Sequence, residues 1–268
     1  MNIENTQPGF GTLNHALNLG GANIVTVFLW ENIQVVPGQT AEYLRAFADR
    51  WLPLSDAYDR DLYRLSGFFT PDVLNTSHPS VNALWTIDSW ETWDARHSRG
   101  TPTEKLIKTS EFYIPALTWR SGWTDKMLES LPFSPTPPSR PDSARPGSVA
   151  IVHRFVVEPT SCAAFVDAFE SDVLRGAQGV GLQLELFARA IGRPMEYFAF
   201  WTIGAGEAYT SWRNGRNPTE EHGLLPGFAR SWSMLIDAEE QEMTPAWFSP
   251  IGGSQRSPRE PTEENLSI

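Results

Sequence analysis

Two stretches of the chain, residues 85–104 (WTIDSWETWDARHSRGTPTE) and residues 201–220 (WTIGAGEAYTSWRNGRNPTE), align without a gap and decide the predicted fold. Seven of their positions are identical, among them the opening Trp-Thr-Ile and the closing Pro-Thr-Glu. Weaker matches join residues 35–36 to 156–157 upstream and residues 119–121 to 229–231 downstream. Because the matches come in the same order twice, they indicate an internal repeat of one structural unit.

Each copy of the repeat has the pattern strand, helix, strand, strand, helix, strand. Residues 24–36 and 149–157 are rich in β-branched and aromatic side chains, which favours strands, and helical apolar spacing follows in both copies. Two more strands are predicted at 61–69 and 80–88, with counterparts at 181–189 and 195–203, and a last strand at 116–127 and 227–237. The predicted fold is α+β, with two ferredoxin-like β-α-β-β-α-β units that form a single-chain dimeric α/β barrel.

Composition sets the predicted boundaries between these units. Residues 132–147 are rich in Pro and Ser, as linkers are, and both ends of the chain are polar and rich in Gly, Ser and Pro. We therefore predict an N-terminal arm (1–21), a first unit (22–131), a linker (132–147), a second unit (148–240) and a C-terminal tail (241–268).

Overall composition narrows the class of protein. The net charge is −11 and the sequence pI is about 4.9, with no basic cluster to bind phosphates, so no nucleic-acid partner is expected. A single Cys162 cannot form an internal disulfide, and the five histidines show no paired metal-ligand spacing. The sequence shows neither a signal-peptide pattern at its start nor a continuous apolar run of membrane-spanning length. We expect a cytoplasmic protein without a metal site or a membrane partner.

Three short motifs carry a family resemblance: residues 63–69 (YRLSGFF), 82–85 (NALW) and 89–93 (SWETW). With the repeated unit they resemble the dimeric α/β-barrel superfamily, and within it NIPSNAP-type and antibiotic-biosynthesis-monooxygenase-like proteins. The resemblance covers residues 24–128 and 149–238. It implies a barrel with an internal ligand pocket. The superfamily includes cofactor-independent monooxygenases, polyketide cyclases, lactone isomerases and haem enzymes, so the fold does not choose the function.

Strand alternation separates the residues that face the barrel interior from those that face the helices. Histidine titrates near neutrality and is the natural proton carrier in such a pocket. We predict catalytic roles for His153, Glu185, Arg64 and Asn32, with the alternative that His153 and Glu185 are satisfied polar residues of a filled barrel. The predicted substrate-binding residues are Trp30, Gln34, Phe68, Asn82, Phe155, Gln183, Phe187, Phe198 and Phe200.

Three functions stay open at this point. The first is a cofactor-independent enzyme, a cyclase, isomerase or monooxygenase, that transfers protons on an aromatic or polyketide-like substrate. The second is a haem enzyme, for which His222 is the candidate ligand, and the third is a NIPSNAP-like interaction protein with a barrel packed shut. The chain carries both predicted sheets, so it is expected to close its barrel as a monomer, and a homodimer is also compatible with the sequence.

Overall fold

The structure is a computed structural model that describes residues 25–71, 80–98, 100–135, 148–215, 225 and 227–253. The predicted N-terminal arm, most of the linker, the haem candidate His222 and the last part of the predicted tail lie outside the described residues. Within them, no helix has the length and apolar character needed to cross a membrane.

The first half of the chain supplies four strands and the helices that cover them. Its strands are β1 (Val27–Val35), β2 (Arg64–Pro71), β3 (Ser80–Thr86) and β4 (Arg120–Ser130). Its helices are α1 (Thr40–Ala46), α2 (Leu52–Asp59), α3 (Trp90–Ser98) and α4 (Thr103–Trp119). A π-helical turn, Phe47–Trp51, joins α1 to α2.

The second half has the same order of strands. They are β5 (Ser148–Val157), β6 (Gln183–Ala190), β7 (Glu196–Gly204) and β8 (Leu235–Pro245). The helices are α5 (Cys162–Ala168), α6 (Leu174–Gly179), α7 (Glu207–Gly215) and the short α8 (Ala229–Trp232). A 3-10 turn (Pro159–Ser161) precedes α5, and a π-helical turn (Phe169–Val173) again joins the two helices after the first strand.

All eight strands form one closed antiparallel barrel in the order β1-β3-β2-β8-β5-β7-β6-β4. Within each half the order is fourth, first, third, second strand, and the halves join where β2 pairs with β8 and β4 pairs with β6. The α+β class and the closed barrel are therefore confirmed, and the barrel closes within one chain.

The buried side chains form three groups. One lies between the first-half strands and their helices, and a second occupies the corresponding place in the second half. The third fills the barrel interior and comprises Phe28, Trp30, Phe69, Leu84, Leu128, Ala150, Val152, Leu186, Ala188, Ala190, Phe198, Phe200, Met243 and Ile251.

The chain beyond β8 also belongs to the barrel. The Ala246 amide donates to the Phe68 carbonyl at 2.9 Å and the Ile251 amide to the Ser66 carbonyl at 3.0 Å. The Ser249 hydroxyl accepts from the Phe68 amide at 2.9 Å. Residues 246–253 therefore run alongside β2, and the Ile251 side chain packs in the group that fills the barrel interior.

The predicted inward direction of His153 and Phe155 is wrong. Trp30 lies opposite Leu84 and Val152 lies opposite Phe200, so Trp30 corresponds to Val152. The sequence alignment of residues 35–36 with 156–157 is therefore one residue out of register. A slip of one residue moves every side chain of a strand to the other face, and both His153 and Phe155 lie on the helix side of β5.

The predicted inward direction of Phe68 and Phe187 is also wrong, for a different reason. Each half carries a β-bulge on its second strand, at Ser66 in β2 and at Glu185 in β6. The extra residue reverses the alternation beyond it. Phe68 and Phe187 consequently pack against the helices, and Phe187 stacks on Phe169 with ring centroids 3.8 Å apart.

The last strand of the second half lies eight residues later than predicted, at Leu235–Pro245 instead of 227–237. The Val36 amide bonds the Trp119 carbonyl, and the corresponding Glu158 amide bonds the Met234 carbonyl. Trp119 therefore corresponds to Met234, and the sequence match to residues 229–231 falls on α8.

Candidate functional site

A cleft of about 620 Å³ lies in the first half, between the outer face of β1 and β4 and helices α2, α3 and α4. Its volume is within the range of small-molecule sites in proteins. The lining residues are Leu29, Glu31, Tyr58, Asp59, Leu62, Trp93, Gly100, Thr101, Pro102, Lys105, Asp125 and Met127.

Strand alternation builds the floor of this cleft. Leu29 and Glu31 lie two residues apart on β1 and face the helices, while their partners on β4 are Met127 and Asp125. The floor therefore has an apolar pair beside an acidic pair. Met127 and the wall residue Trp93 pack partly buried against the first-half core, so one side of the cleft is apolar.

Glu31 is held in place by an indole. The Trp85 Nε1–H donates to Glu31 Oε2 at 2.6 Å, and Trp85 is itself buried edge-on against Tyr63 with ring centroids 5.0 Å apart. Burial, together with the Glu31 charge, raises the pKa of nearby Tyr43, so that phenol stays protonated. The result is a positioned carboxylate on an otherwise hydrophobic strand face.

A second carboxylate is held on the helix side of the cleft. Lys105 Nζ contacts both carboxylate oxygens of Asp59, with 2.6 Å to Oδ2, and the Tyr63 hydroxyl donates to Asp59 Oδ2 at 3.1 Å. The Asp59 side chain is 3% exposed and that of Lys105 is 16% exposed. An ammonium has three N–H donors, so Lys105 can offer one to a ligand while it neutralises Asp59.

A smaller cavity of about 160 Å³ opens at one end of the barrel, which we call the barrel mouth. It is lined by both halves of the chain. The lining residues are Trp30, Asn32, Asn82, Thr124, Lys126, Val152, Arg154, Phe198, Glu239 and Gln241.

Four of the residues predicted from the sequence meet at the barrel mouth: Trp30, Asn32, Asn82 and Phe198. Asn32 Nδ2 donates to Asn82 Oδ1 at 2.8 Å. A fifth predicted residue, Phe200, packs edge-on against Trp30 deeper in the barrel, at a centroid distance of 4.9 Å. The catalytic and binding roles assigned to these residues stay predictions.

Other predicted residues lie at the opposite end of the barrel. Glu185 Oε1 accepts from the Thr202 hydroxyl at 2.5 Å. Arg64 makes a two-pronged ion pair with Asp88, with Nη1 donating to Oδ2 at 2.8 Å, and this hydrogen bond lowers the pKa of Asp88. Gln183 lies opposite Thr202 at the same end.

Gln34 lies at the far end of β1 from Arg64 and is exposed to solvent. It pairs with Ser80 of β3 and Gly122 of β4. The predicted set Asn32, Arg64, His153 and Glu185 is therefore not brought together in one site.

His153 forms a dyad with Glu240 on the helix side of the second half. Its Nε2 is 2.8 Å from Glu240 Oε2, and its ring lies parallel to Phe155 at 5.7 Å. The His153 side chain is fully buried and Nδ1 has no hydrogen-bond partner among the described residues. The dyad has the composition of an acid/base pair but has no access to solvent through the histidine.

The cleft residues Glu31, Asp59 and Lys105 were not predicted from the sequence. One signal for Glu31 was present, because its neighbours on the same face of β1 are Val27, Leu29, Ile33 and Val35, and an acidic residue interrupts that apolar series. No spacing rule points to Asp59 and Lys105, which lie 46 residues apart.

Solved structures with the same fold carry several names. A "putative monooxygenase" from Fusobacterium nucleatum matches with a TM-score of 0.59 and 9% identity, over 82% of this chain and 92% of that one. An anthrone oxidase-like protein matches with a TM-score of 0.56 and 11% identity, over 83% and 92%. At this identity the likeness shows the fold, which is the dimeric α/β-barrel fold predicted from the sequence.

A NIPSNAP domain protein from Burkholderia xenovorans matches 41% of this chain and 98% of its own, with 20% identity and a TM-score of 0.34. No protein-family model matches the sequence. No curated protein matches it either.

Proposed function

We propose that this protein is a small-molecule enzyme of the monooxygenase type, which binds an aromatic or polyketide-like ring system in the first-half cleft. The cleft itself carries the proposal: about 620 Å³ with one apolar side, two positioned carboxylates and one shielded lysine. Pockets that combine an apolar surface with a few convergent polar groups are the usual form of an enzyme site. The names of the structural neighbours, a monooxygenase and an anthrone oxidase-like protein, support the same class.

In the proposed mechanism Glu31 is the general base. Its Oε2 accepts the Trp85 indole hydrogen, which orients the carboxylate that takes the substrate proton. A ring that lies on Leu29 and Met127 and against Trp93 would place an acidic C–H or O–H group above the acidic end of the floor. The Lys105 ammonium would stabilise the enolate or phenolate oxygen that forms, and Asp59 and Tyr63 hold that ammonium in position.

The oxidant in this scheme is molecular oxygen, and we propose that no organic cofactor is needed. Once deprotonated, an anthrone-type ring carbon bonds to one oxygen atom of O2. Loss of the second ring hydrogen and cleavage of the O–O bond then give a ring carbonyl and one molecule of water. The substrate carbon is oxidised, O2 is reduced, and Glu31 returns to its carboxylate form.

We also infer that each half is a ferredoxin-like unit and that the chain arose as a tandem repeat of that unit. The strand order within each half and the paired π-helical turns support this origin. Both bulges on the second strands support it as well. The inference matters for function because the helix-facing sides of the strands in the two halves then correspond to each other. We assign catalysis to that side of the first half.

Oxygen uptake in the presence of an anthrone tests the proposal. Glu31→Gln keeps an acceptor for the Trp85 indole but removes the base, so the rate should fall about 100-fold or more. The matched control is Glu129→Gln, because Glu129 is also held by an indole, that of Trp90 at 3.0 Å, outside the residues that line the cleft. The control should keep the wild-type rate.

The same assay separates the cleft from the histidine predicted as catalytic. His153→Gln should leave oxygen uptake unchanged, since His153 is buried in the other half. If His153→Gln abolishes uptake while Glu31→Gln does not, the site assignment is wrong. A Soret band in protein purified from haem-supplemented cells would instead favour the haem alternative.

One observation favours an interaction protein as a second candidate function. Helix α4 exposes four large apolar side chains on one face: Leu106, Ile107, Ile114 and Leu117 are 52–67% exposed. Exposed apolar patches mark protein interaction sites in many proteins. A solution molar mass of twice the chain mass that returns to one chain in Ile114→Glu would support this function. A monomer in both proteins would argue against it.

A further inference from the structure

We propose that the barrel mouth is a second ligand site, separate from the first-half cleft, and that it takes a single neutral aromatic ring bearing a hydroxyl group. The cavity of about 160 Å³ is close in size to apolar protein cavities that hold one benzene ring. Both halves of the chain line the cavity, so the site exists only in the closed barrel.

Aromatic and aliphatic surfaces provide a place for the ring. Trp30 and Phe198 line the cavity, and Val152 completes an apolar wall. Trp30 is fixed from behind by Phe200 and Phe69, with ring centroids 4.9 and 6.2 Å away. A planar ring inserted here meets a preformed slot, which reduces the entropic cost of binding.

Polar atoms at the cavity match a hydroxyl group. Asn32 gives one amide hydrogen to Asn82 Oδ1, and no hydrogen bond among the described residues uses Asn32 Oδ1, so that oxygen can accept the ligand O–H. Lys126 Nζ lies 5.1 Å from the Phe198 ring centroid and donates one hydrogen to Glu196 Oε1 at 2.6 Å. A second Lys126 hydrogen can be donated to the ligand oxygen.

The charges at the mouth favour a neutral ligand over an anion. The two cations that line the cavity, Lys126 and Arg154, are both bound to the buried Glu196. Arg154 also pairs with Asp237 at 2.9 Å and with Glu239 at 3.4 Å, and Arg193 lies 3.9 Å from Glu196. With each cation already paired, an entering carboxylate would have to compete with protein carboxylates.

Titration with phenol, followed at the Trp30 indole N–H resonance, tests the proposal. The resonance is assigned by its loss in Trp30→Phe. We expect a saturable shift with a Kd of about 1 mM, which is about 4 kcal/mol of binding free energy and lies within the bound for a ligand of this size. Phenol should bind at least tenfold more tightly than benzoate, and Glu31→Gln should not change phenol binding, because Glu31 belongs to the separate cleft.

Two variants and one control locate the ligand. Thr124→Trp places a large side chain on the exposed rim of the cavity, and Val152→Phe fills it from within. Thr160→Trp is the matched control, an exposed threonine in the turn before α5. Both cavity variants should weaken phenol binding at least tenfold and the control should not.

Three results would overturn the proposal: no saturable shift, tighter binding of benzoate than of phenol, or unchanged phenol binding in Thr124→Trp. Thr124 is exposed, so that variant is expected to fold even where Val152→Phe does not. The proposal does not depend on the cleft, and loss of anthrone oxidation would leave it standing.

Discussion

In each half, four strands present an outer face to the helices. Corresponding positions on these two faces have different roles in the two halves. In the first half the strand residues that face the helices form the floor of an open cleft, and in the second half three of their four counterparts are buried and the fourth, Glu240, is half-buried. His153 and Ile151 are fully buried and Glu242 is 1% exposed, whereas their first-half counterparts are all partly exposed. The corresponding pairs are Leu29 and Ile151, Glu31 and His153, Asp125 and Glu240, and Met127 and Glu242.

The difference follows from what covers each face. In the second half the Tyr209 hydroxyl donates to Glu242 at 2.5 Å, and Arg213 Nη2 lies 3.0 Å from the same carboxylate. This hydrogen bond and ion pair hold α7 against the strands. In the first half the residue in the place of Tyr209 is Trp93, which lines the cleft. One scaffold therefore gives a cavity or a packed core, depending on a few side chains between sheet and helix.

The largest expected effect concerns the buried ion pair of the first half. Lys105→Met should lower the free energy of unfolding by about 3–5 kcal/mol, because it leaves the Asp59 carboxylate buried without its cation. Chemical denaturation of the full chain measures the change. Replacing both partners, as Asp59→Leu with Lys105→Met, should recover most of it.

The second-half control for this prediction is Arg213→Met. Glu242 is as buried as Asp59, but Arg213 is 43% exposed and Tyr209 still donates to the carboxylate. The expected loss is about 1 kcal/mol. Equal losses in Lys105→Met and Arg213→Met would contradict the distinction between the two faces.

The next largest loss of stability is expected at two positions inside the barrel. At these positions one half has a small residue followed by a large one, and the other half has the reverse. Gly67 and Phe69 of β2 correspond to Leu186 and Ala188 of β6. A Cβ at Gly67 would lie 2.4 Å from the Phe69 ring, so Gly67→Leu should cost about 1–3 kcal/mol by overpacking. Adding Phe69→Ala reproduces the second-half pair and should restore part of the loss.

A double-mutant cycle read by thermal unfolding checks this exchange. The coupling between the two substitutions should be favourable by about 0.5–3 kcal/mol, the range for residues in contact. Additive effects would contradict the prediction that the side chains at these two first-half positions are coupled as Leu186 and Ala188 are in the second half.

A smaller loss of stability is expected on substitution of Glu196, which lies beside the barrel mouth and pairs with cations from both halves. Burial alone would raise the pKa of Glu196, but hydrogen bonds and charges from Lys126 and Arg154 outweigh it and the pKa is lowered. A carboxyl whose pKa is lower in the folded state contributes stability above its ordinary pKa of 4.5, and that contribution is lost as the pH falls through the folded value.

Glu196→Gln should therefore cost about 1–2 kcal/mol at neutral pH and much less at pH values below the folded pKa. Denaturation at a series of pH values from neutral to acid measures the difference. A constant cost across that range would contradict the ionic role of Glu196.

The smallest effect is expected at the other end of the barrel. Arg64 and Gln183 occupy corresponding positions opposite Thr86 and Thr202. Arg64→Gln removes the ion pair with Asp88. Because the Arg64 side chain is 28% exposed and that of Asp88 is 48% exposed, the free energy of unfolding should fall by less than about 1 kcal/mol. A loss of anthrone oxidation in this variant would reinstate Arg64 as a catalytic residue.

The barrel could be predicted from the sequence because one stretch in each half aligns without a gap. Trp85 and Trp201 occupy corresponding buried positions, so the third strands and their faces were correctly placed. The first strands have no such anchor. Val35-Val36 matches Val156-Val157 fully in the wrong register, whereas the true register keeps only the match of Val35 to Val157. That single slip placed His153 inside the barrel, where Arg154 lies.

The site was harder to predict than the fold for physical reasons. The bulges at Ser66 and Glu185 each add one residue, and they reversed Phe68 and Phe187. Gly67 follows the first bulge, but Leu186 holds the corresponding place in β6, so the two halves share no sequence signal for a bulge. The cleft combines two strands with residues from three helices, and Asp59 reaches Lys105 only after α2 and α4 pack together. Such contacts depend on tertiary packing and leave no spacing pattern in the sequence.

The most direct test of the account is an amide chemical-shift map of the protein with an anthrone, whose three fused rings exceed the barrel mouth. We expect the shifts at residues 29–31, 58–62, 93, 100–105 and 125–127, around the first-half cleft. Glu129→Gln should give the same map as the wild type. Shifts confined instead to residues 151–153, 209–213 and 240–242 would place the ligand in the second half and contradict the assignment of function to the first.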